Sequence, residues 1–245
     1  MLDKHHLDYF NLGKKENEKF WRRLDEKPNF KGKTVLDFGC GHGALAIEIA
    51  KQGAKKVVGI DLEKDYVRFA NENLEINYPS LKNIVEFHNI DLLKNDKFDK
   101  FDFIVSKDTF EHTQDLNSVM TRFYNLLNQN GKVYLGFGPL YNFYNGDHGR
   151  TKSYLPWFHL IIPEKLNIKR HNLKNKRKIN KIEDLGLSKY SYKQYVNLFK
   201  NSEFKVSYFK INLSDHPIAF IFNILRKIKF LSEFFTFNIY CILVK

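Results

Sequence analysis

Apolar runs of four to six residues alternate with amphipathic segments along the first part of the chain. The runs are rich in Val, Ile and Phe, which is typical of buried strands, and the segments between them repeat apolar residues every three or four positions, as helices do. The runs predict five strands, at 33–38, 56–60, 84–87, 101–105 and 132–137. The segments predict helices at about 11–27, 44–51, 64–77 and 115–127.

Regular patterns return near residue 191. They predict a helix at about 191–200, a strand at about 204–211, a helix after Pro217 and a last strand at 237–244. Strands joined by single helices pair in parallel with right-handed crossovers, whereas the two late strands flank one helix and are expected to pair antiparallel at a sheet edge. The sequence therefore predicts an α/β fold, a single doubly wound Rossmann-like domain over 1–245 with a seven-stranded mixed sheet.

Residues 138–188 interrupt this pattern and show no clean period. We expect them to form an insertion that covers the active edge of the sheet. A basic run at 165–181 lies within this segment, and two interpretations of it stay open. It either binds an acceptor that carries phosphate, or it is a solvated loop.

The late helix, at about 217–230, mixes Ile and Phe with Arg and Lys. Its apolar face would consist of Ile218, Ile221, Phe222, Leu225 and Ile228. We expect this face to pack in the core between the two edge strands. Contact with a membrane surface is the alternative.

A glycine-rich loop, Gly39-Cys40-Gly41-His42-Gly43, joins the first strand to the second helix. With Ala44, its spacing also satisfies the dinucleotide fingerprint, so the loop alone is ambiguous. Asp37 precedes the loop, and a carboxylate there would repel a pyrophosphate and favour a ligand with positive charge. Asp61 ends the second strand, where a carboxylate accepts hydrogen bonds from ribose hydroxyls. A dinucleotide and a positively charged nucleoside ligand both contain ribose, so Asp61 alone does not distinguish between them.

This loop and four blocks after it resemble the class I methyltransferases that depend on S-adenosylmethionine (SAM). The resemblance covers about residues 33–137, in the order found in that family. The matching blocks are 35–43 (VLDFGCGHG), 58–61 (VGID), 89–91 (NID), 101–112 (FDFIVSKDTFEH) and 126–133 (LLNQNGKV).

The resemblance implies SAM as the cofactor and a role for each matching residue. Asp37 would orient the amino group of the methionine part, Gly39 and Gly41 would approach that part through their backbone, and Asp61 would hold the ribose. Ile90 and Asp91 would frame the adenine, and Ser106 and Lys107 would border the methionine tail and the reacting methyl. The neighbouring residues Cys40, Leu62 and Asn89 are further candidates for the cofactor site.

The segment after the fourth strand indicates the class of acceptor. The residues Ser106-Lys107-Asp108-Thr109 lack the motif of amino-methylating nucleic-acid enzymes. The next three residues, Phe110-Glu111-His112, resemble the same positions of methyltransferases that act on small molecules. The resemblance thus implies a small-molecule hydroxyl or amino acceptor, including a sugar or a phosphorylated glycan or lipid intermediate.

An alcohol acceptor needs a general base, and imidazole titrates near neutral pH. His148 and His159 lie in the predicted insertion and are the first candidates, followed by His112. We expect His42 to line the loop, and His5 and His6 to have no role at the terminus. No spacing of His and Asp residues supports a metal site.

The formal net charge is +12, from 40 Lys and Arg against 28 Asp and Glu. Such a surface attracts anions. An RNA or tRNA methyltransferase that uses the 165–181 run is therefore an alternative function. A nicotinamide-dependent oxidoreductase that shares the glycine loop, and a catalytically inactive protein with the SAM-binding fold, are further alternatives.

The two cysteines, Cys40 and Cys241, lie far apart in the sequence, which is typical of a reducing compartment. No uncharged apolar run reaches the ~18 residues of a membrane-spanning helix, and the first residues have no apolar signal-peptide core. The sequence therefore predicts a cytoplasmic location, with peripheral membrane contact left open and no indication of the oligomeric state.

Overall fold

The computed structural model describes residues 2–95, 97–151, 155–175 and 178–245. Seven strands form one sheet in the order β3-β2-β1-β4-β5-β7-β6. In chain order the strands are β1 (Thr34–Phe38), β2 (Lys56–Asp61), β3 (Val85–Asn89), β4 (Phe101–Lys107), β5 (Leu127–Phe137), β6 (Lys205–Ile211) and β7 (Ile239–Val244). The first five pair in parallel, and β7 pairs antiparallel with both β5 and β6. The predicted mixed, doubly wound sheet is confirmed.

Eight α-helices are found in the described part of the chain. They are α1 (Lys4–Leu24), α2 (Ala44–Lys51), α3 (Lys64–Asn77), α4 (Leu116–Leu126), α5 (Phe158–Ile161), α6 (Glu164–Lys174), α7 (Tyr192–Asn201) and α8 (Ile218–Leu225). Apolar residues cover both faces of the sheet: one cluster includes Phe20 and Ile49, and the other includes Phe123 and Phe199. This two-sided burial explains why the parallel strands are nearly continuous apolar runs in the sequence.

The place in the sheet where a cleft is expected lies beyond the carboxyl ends of β1 and β4. β1 pairs with β2 on one side and with β4 on the other, so the strand order reverses at β1. In open α/β sheets the ligand lies beyond the carboxyl ends of the strands at such a reversal. Asp37, Asp61 and Lys107 stand at or next to these carboxyl ends.

The first helix begins seven residues before the predicted start. Asp3 caps it, because its carboxylate accepts hydrogen bonds from the amides of His5 and His6. Capping of the first free amides by an Asp side chain is a strong helix-start signal, and the prediction missed it. The added turns carry the buried Phe10 toward the glycine loop.

The predicted insertion at 138–188 has more regular structure than expected. It holds α5, α6 and a short 3-10 helix at Ile182–Leu185. Much of the basic run 165–181 is therefore helical rather than a loop, and it packs through the buried Asn167 and His171. Lys176 and Arg177 of that run lie outside the described residues.

The late helix does not pack in the core as predicted. Of α8, only Ala219 is buried, whereas Phe220 and Ile221 are exposed. The last two strands, β6 and β7, pair directly with each other, which leaves no gap between them for a helix to fill. The helix instead lies outside the sheet, in the connection between the two strands.

A pair of asparagines holds the two ends of this connection together. The Asn212 side chain donates to the Phe235 carbonyl (2.7 Å) and accepts from the Phe237 amide (2.8 Å). The Asn238 side chain makes the reciprocal pair of bonds with the backbone of Leu213. Asn212 is buried and has a φ of 54°, in the left-handed region that Asn tolerates better than most residues.

We predict that Asn212→Ala lowers the free energy of unfolding by about 2–4 kcal/mol, because two buried hydrogen bonds are lost and Ala disfavours this backbone conformation. Asn212→Gly loses the same bonds without the conformational cost, so it should be less harmful by about 1 kcal/mol. Urea unfolding of both variants measures the difference. Equal losses would show that the backbone conformation contributes nothing.

Candidate functional site

A cleft of about 1180 Å³ opens at the carboxyl ends of the central strands. Its walls come from the loop after β1, the end of β2, the turn after β3 and the segment after β4. Further lining comes from one face of α1, from Tyr66 of α3, and from Arg150, Lys181 and residues 183–186 of the segment that interrupts the sheet pattern. The expected cover over the active edge therefore contributes directly to the cleft.

The three glycines of the loop after β1 differ in whether the structure leaves room for a side chain. All three have positive φ, between 50° and 82°. A Cβ on Gly39 would lie 2.2 Å from the Thr109 side chain, and one on Gly43 would lie 2.5 Å from the ring of Phe87, so both glycines are required by packing. A Cβ on Gly41 would meet nothing within 4 Å, although Gly41 lines the cleft. The missing side chain of Gly41 thus leaves space in the cleft for a ligand that contacts the backbone.

Asp61 fixes the shape of this loop. One of its carboxylate oxygens accepts a hydrogen bond from the Gly41 amide (2.9 Å), and the other accepts from the Glu63 amide (2.9 Å). The amides of Gly39 and Cys40 also bond to the carbonyl of Ile60, at 2.9 and 3.0 Å. Asp61 lines the cleft, and each carboxylate oxygen can accept more than one hydrogen bond, so it can still accept from a ligand.

Asp37 is a buried carboxylate with an unused oxygen. It lines the cleft, is 1% exposed, and its Oδ2 has no hydrogen-bond partner among the described residues. Burial raises the pKa of Asp37 to about 7, while the nearby Lys107 acts to lower it. A buried polar atom without a partner is costly, so this carboxylate favours a ligand that brings a donor or a positive charge.

Five other residues that the family resemblance assigns to the cofactor also line the cleft. They are Cys40, Leu62, Ile90, Asp91 and Lys107. Asn89 and Ser106 are not among the lining residues in the described part of the chain. The Asn89 side chain donates to the carbonyls of Asp61 and Leu62, and the Ser106 hydroxyl donates to the Phe38 carbonyl. Both residues therefore brace the strand ends beneath the cleft.

Lys107 links the end of β4 to α1. Its Nζ donates to the Asn17 Oδ1 (2.7 Å) and to the Gly13 carbonyl (3.3 Å), while Asn17 donates to the Ala44 carbonyl. Burial lowers the pKa of Lys107. This chain of bonds holds α1 over the glycine loop.

The first helix supplies a wall of the cleft that the sequence prediction missed. His6 Nδ1 lies 2.7 Å from His42 Nε2, so the expectation that His6 has no role was wrong. The His42 ring lies 4.7 Å from Tyr9 and 4.5 Å from Tyr66, centroid to centroid. The missed signal was the Asp3 cap, which starts the helix early enough to bring these rings together. The α1 residues that line the cleft are Tyr9, Phe10, Leu12, Gly13 and Glu16.

Two of the three candidate bases lie side by side: His112 lines the cleft, and His148 packs against His112 without lining the cleft itself in the described part of the chain. The rings of His112 and His148 are 4.6 Å apart. His112 Nδ1 bonds to the Gly186 carbonyl (2.7 Å), and His148 Nε2 bonds to the Pro139 carbonyl (3.1 Å). A carbonyl only accepts, so these nitrogens carry the protons, and the other nitrogen of each ring keeps a free lone pair.

A buried carboxylate accompanies the two rings. A carboxylate oxygen of Glu111 and a ring nitrogen from each of His112 and His148 all lie within 4.8 Å of one another. Glu111 Oε1 accepts from the Gly138 amide, and Oε2 has no partner among the described residues. Burial, reinforced by Asp108, raises the pKa of Glu111, and burial lowers that of His112 to about 4. His112 is therefore neutral at physiological pH.

His159 lies apart from this group. It is buried, its Nε2 bonds to the Tyr141 carbonyl (2.6 Å), and its ring contacts the Tyr141 ring. It does not line the cleft within the described part of the chain. The structure thus brings together His112 and His148 but not His159.

Arg150 connects the insertion to the cleft. Its guanidinium donates to the carbonyls of Leu185 and Gly186, the second at 2.8 Å, and it lines the cleft. The Gly186 carbonyl is also the partner of His112. Arg150 therefore helps to fix the backbone group that orients the His112 ring.

Residues 29–136 match a family model described as a methyltransferase domain. A curated relative, phosphoethanolamine N-methyltransferase 3 of Arabidopsis thaliana, is 39% identical over 122 residues, which cover 49% of this chain and 24% of that protein. The chain thus spans about a quarter of the length of this relative.

Solved structures share the fold over nearly the whole chain. A SAM-dependent methyltransferase from Mesorhizobium loti matches with a TM-score of 0.60 and 15% identity, over 92% of this chain and 97% of that one. Phosphoethanolamine N-methyltransferase 2 of Haemonchus contortus, solved in complex with SAM, matches with a TM-score of 0.60 and 16% identity, over 94% of this chain and 52% of that one.

These matches agree with the family resemblance of the glycine loop and the blocks after it. Residues 29–136 are similar to a methyltransferase domain, and the fold of the chain is the one found in solved SAM-dependent methyltransferases.

Proposed function

We propose that this chain is a methyltransferase that binds SAM in the cleft and transfers its methyl group to a small-molecule acceptor. The observation that carries the proposal is Asp37, a buried carboxylate with a free oxygen next to a glycine loop. A positively charged group of the ligand would satisfy this oxygen, whereas the pyrophosphate of a nicotinamide cofactor would be repelled. The match at residues 29–136 supports the same cofactor.

The residues of the cleft fit SAM. Asp37 would take its amino group, the open space at Gly41 would admit its methionine part, and Asp61 would accept from its ribose. Ile90 and Asp91 would border its adenine. When bound, SAM supplies a methyl group on a sulfonium sulfur that is already activated for displacement.

The size of the cleft allows for two reactants. Pockets for single small ligands measure roughly 300–1,000 Å³, and this cleft has about 1180 Å³. Holding both reactants in one enclosed space supplies much of the rate enhancement of an in-line transfer. The α1 wall and residues 181–186 would limit the access of water to that space.

The charges around the cleft favour an acceptor that is neutral or cationic, such as an amine or an alcohol. Among the described residues, only three Lys or Arg side chains line it, namely Lys107, Arg150 and Lys181. The acidic side chains that line it are Glu16, Asp37, Asp61, Glu63, Asp91, Asp108, Asp115, Glu183 and Asp184. This excess of carboxylates opposes a polyanion such as RNA, despite the basic surface of the chain.

His112 and His148 are the proposed general bases. The free Nε2 of His112 would take the proton of the acceptor as the new bond to the methyl carbon forms. A carboxyl oxygen of Glu111 and a ring nitrogen of His148 lie within 4.8 Å of a ring nitrogen of His112. Because the pKa of His112 is about 4, the ring is unprotonated and its Nε2 can accept a proton throughout the physiological range.

Asp61→Ala should weaken SAM binding about 100-fold or more, because charge-assisted hydrogen bonds to the ribose are lost. Asp65→Ala is the matched control, since this exposed carboxylate lies four residues away and pairs with Arg68. Calorimetric titration with SAM measures both affinities, and thermal unfolding checks the fold. A folded Asp61→Ala variant with unchanged affinity would contradict the placement of the ribose.

Binding of SAM at about pH 6 should release up to about one proton per cofactor. Asp37 is mostly protonated at this pH, because its pKa is about 7 in the free protein. A cation bound beside it lowers that pKa, so affinity should rise as the pH rises toward 7. The ammonium of SAM stays protonated at this pH and does not contribute.

Calorimetry in two buffers of different ionisation enthalpy measures this proton release. Asp37→Asn keeps the shape of the side chain and removes its titratable proton. It should therefore bind SAM with no release. Equal release by both proteins would assign the proton to another group and refute the role of Asp37.

His112→Gln and His148→Gln should lower turnover about 10²–10⁴-fold if the acceptor needs a base, with little change in SAM affinity. Each Gln can still donate to the carbonyl that the ring bonded, but it lacks the basic nitrogen. His159→Gln is the matched control and should keep most of the activity. Formation of S-adenosylhomocysteine with the best acceptor from a panel of amines and alcohols is the measurement. Full activity in both variants would remove the pair as bases.

A further inference from the structure

The connection between β6 and β7 displays a concentrated apolar surface. We call it the α8 surface, and it consists of Phe220, Ile221 and Ile224 on α8 with Ile228 and Phe230 just after it. Phe220 and Phe230 are each 71% exposed. Single exposed apolar residues are normal in proteins, but a contiguous group of large ones marks an interaction site.

The opposite side of this helix is anchored, so its outward side is held in place. The ring of Phe222 lies 5.2 Å from Phe143 and 5.8 Å from Phe235, centroid to centroid, and Ala219 is buried. The asparagine pair Asn212 and Asn238 closes the base of the same connection. The exposed side chains are therefore presented by a packed helix and not by a loose end.

The charges next to the α8 surface are positive. Lys227 and Lys229 are exposed, and no ion pair is found for either within the described part of the chain. The two nearby acids are engaged elsewhere: Asp215 pairs with Arg22 at 2.7 Å, and Glu233 accepts from the backbone amide of Lys193. An apolar patch with unpaired lysines complements a surface that is apolar inside and anionic outside.

We propose that the α8 surface binds the interface of a membrane that contains anionic phospholipids. Phe220, Ile221 and Ile224 would enter the boundary between headgroups and acyl chains, while Lys227 and Lys229 would contact the lipid phosphates. The helix would lie in the plane of the interface. None of the helices in the described ranges is long and apolar enough to cross a membrane.

A second copy of the chain fits this surface less well. In a two-fold dimer the same patch faces itself, so the second copy brings the same apolar side chains and lysines to the interface and no anionic group for the lysines to meet. Like charges at an interface are unfavourable. An anionic bilayer instead attracts the same lysines. The proposal does not depend on the chemistry of the cleft, and it can fail or hold independently of methyl transfer.

Sedimentation with lipid vesicles tests the proposal. The full chain is mixed with vesicles of phosphatidylcholine alone, or with about one third phosphatidylglycerol added. We expect binding to the anionic vesicles, weakened by salt, and little binding to the neutral ones. The double variant Phe220→Ser/Ile224→Ser and the double variant Lys227→Glu/Lys229→Glu should each lower the partition coefficient about tenfold or more.

The matched control is Ile76→Ser, which removes an exposed apolar side chain from α3, near the opposite edge of the sheet. It should bind vesicles like the unmodified chain. Unchanged binding of the Phe220→Ser/Ile224→Ser variant, or no preference for anionic vesicles, would overturn the proposal. A dimer in light scattering that this variant dissociates would also overturn it, by assigning the surface to a second copy.

Discussion

The hydrogen bond from the Gly41 amide to the Asp61 carboxylate joins two walls of the cleft. Gly41 belongs to the loop after β1 and Asp61 ends β2, so the bond ties together the ends of two neighbouring parallel strands. The Ile60 carbonyl strengthens the link by accepting from Gly39 and Cys40. With the loop so held, its backbone leaves an open space beside Gly41 and its packing closes the space beside Gly39 and Gly43. The same carboxylate that shapes the loop is then placed to meet the ribose of the proposed cofactor.

Parts of the molecule that depend on local pattern were predictable from the sequence. The bounds of α2 and α3 match their predictions, because each has a clear apolar face. The carboxylates Asp37 and Asp61 could be found because a parallel sheet places strand ends at one edge. Asn89 and Ser106 show the limit of that reasoning, since a residue near a cleft can face the backbone beneath it. Spacing in the sequence does not distinguish the two directions.

Tertiary packing decided what local pattern could not. The apolar face of α8 looked like a core face, but direct pairing of β6 with β7 leaves it no core to enter. The three candidate histidines had equal chemistry in the sequence, and only the fold brings His112 beside His148 and leaves His159 against Tyr141. Likewise, the basic character of the whole chain hid a cleft whose charged side chains are mainly carboxylates. Net charge describes the surface on average, whereas an acceptor meets only the side chains of the cleft.

The segment after β5 connects the cleft with the α8 surface. Phe143 packs on Phe222 beneath α8, and five residues later His148 stands beside His112. Short turns separate the two, since the amide of Gly146 bonds to the carbonyl of Phe143 and that of His148 to Asn145. The acceptor side of the cleft and the proposed membrane-binding helix therefore rest on one compact stretch of backbone.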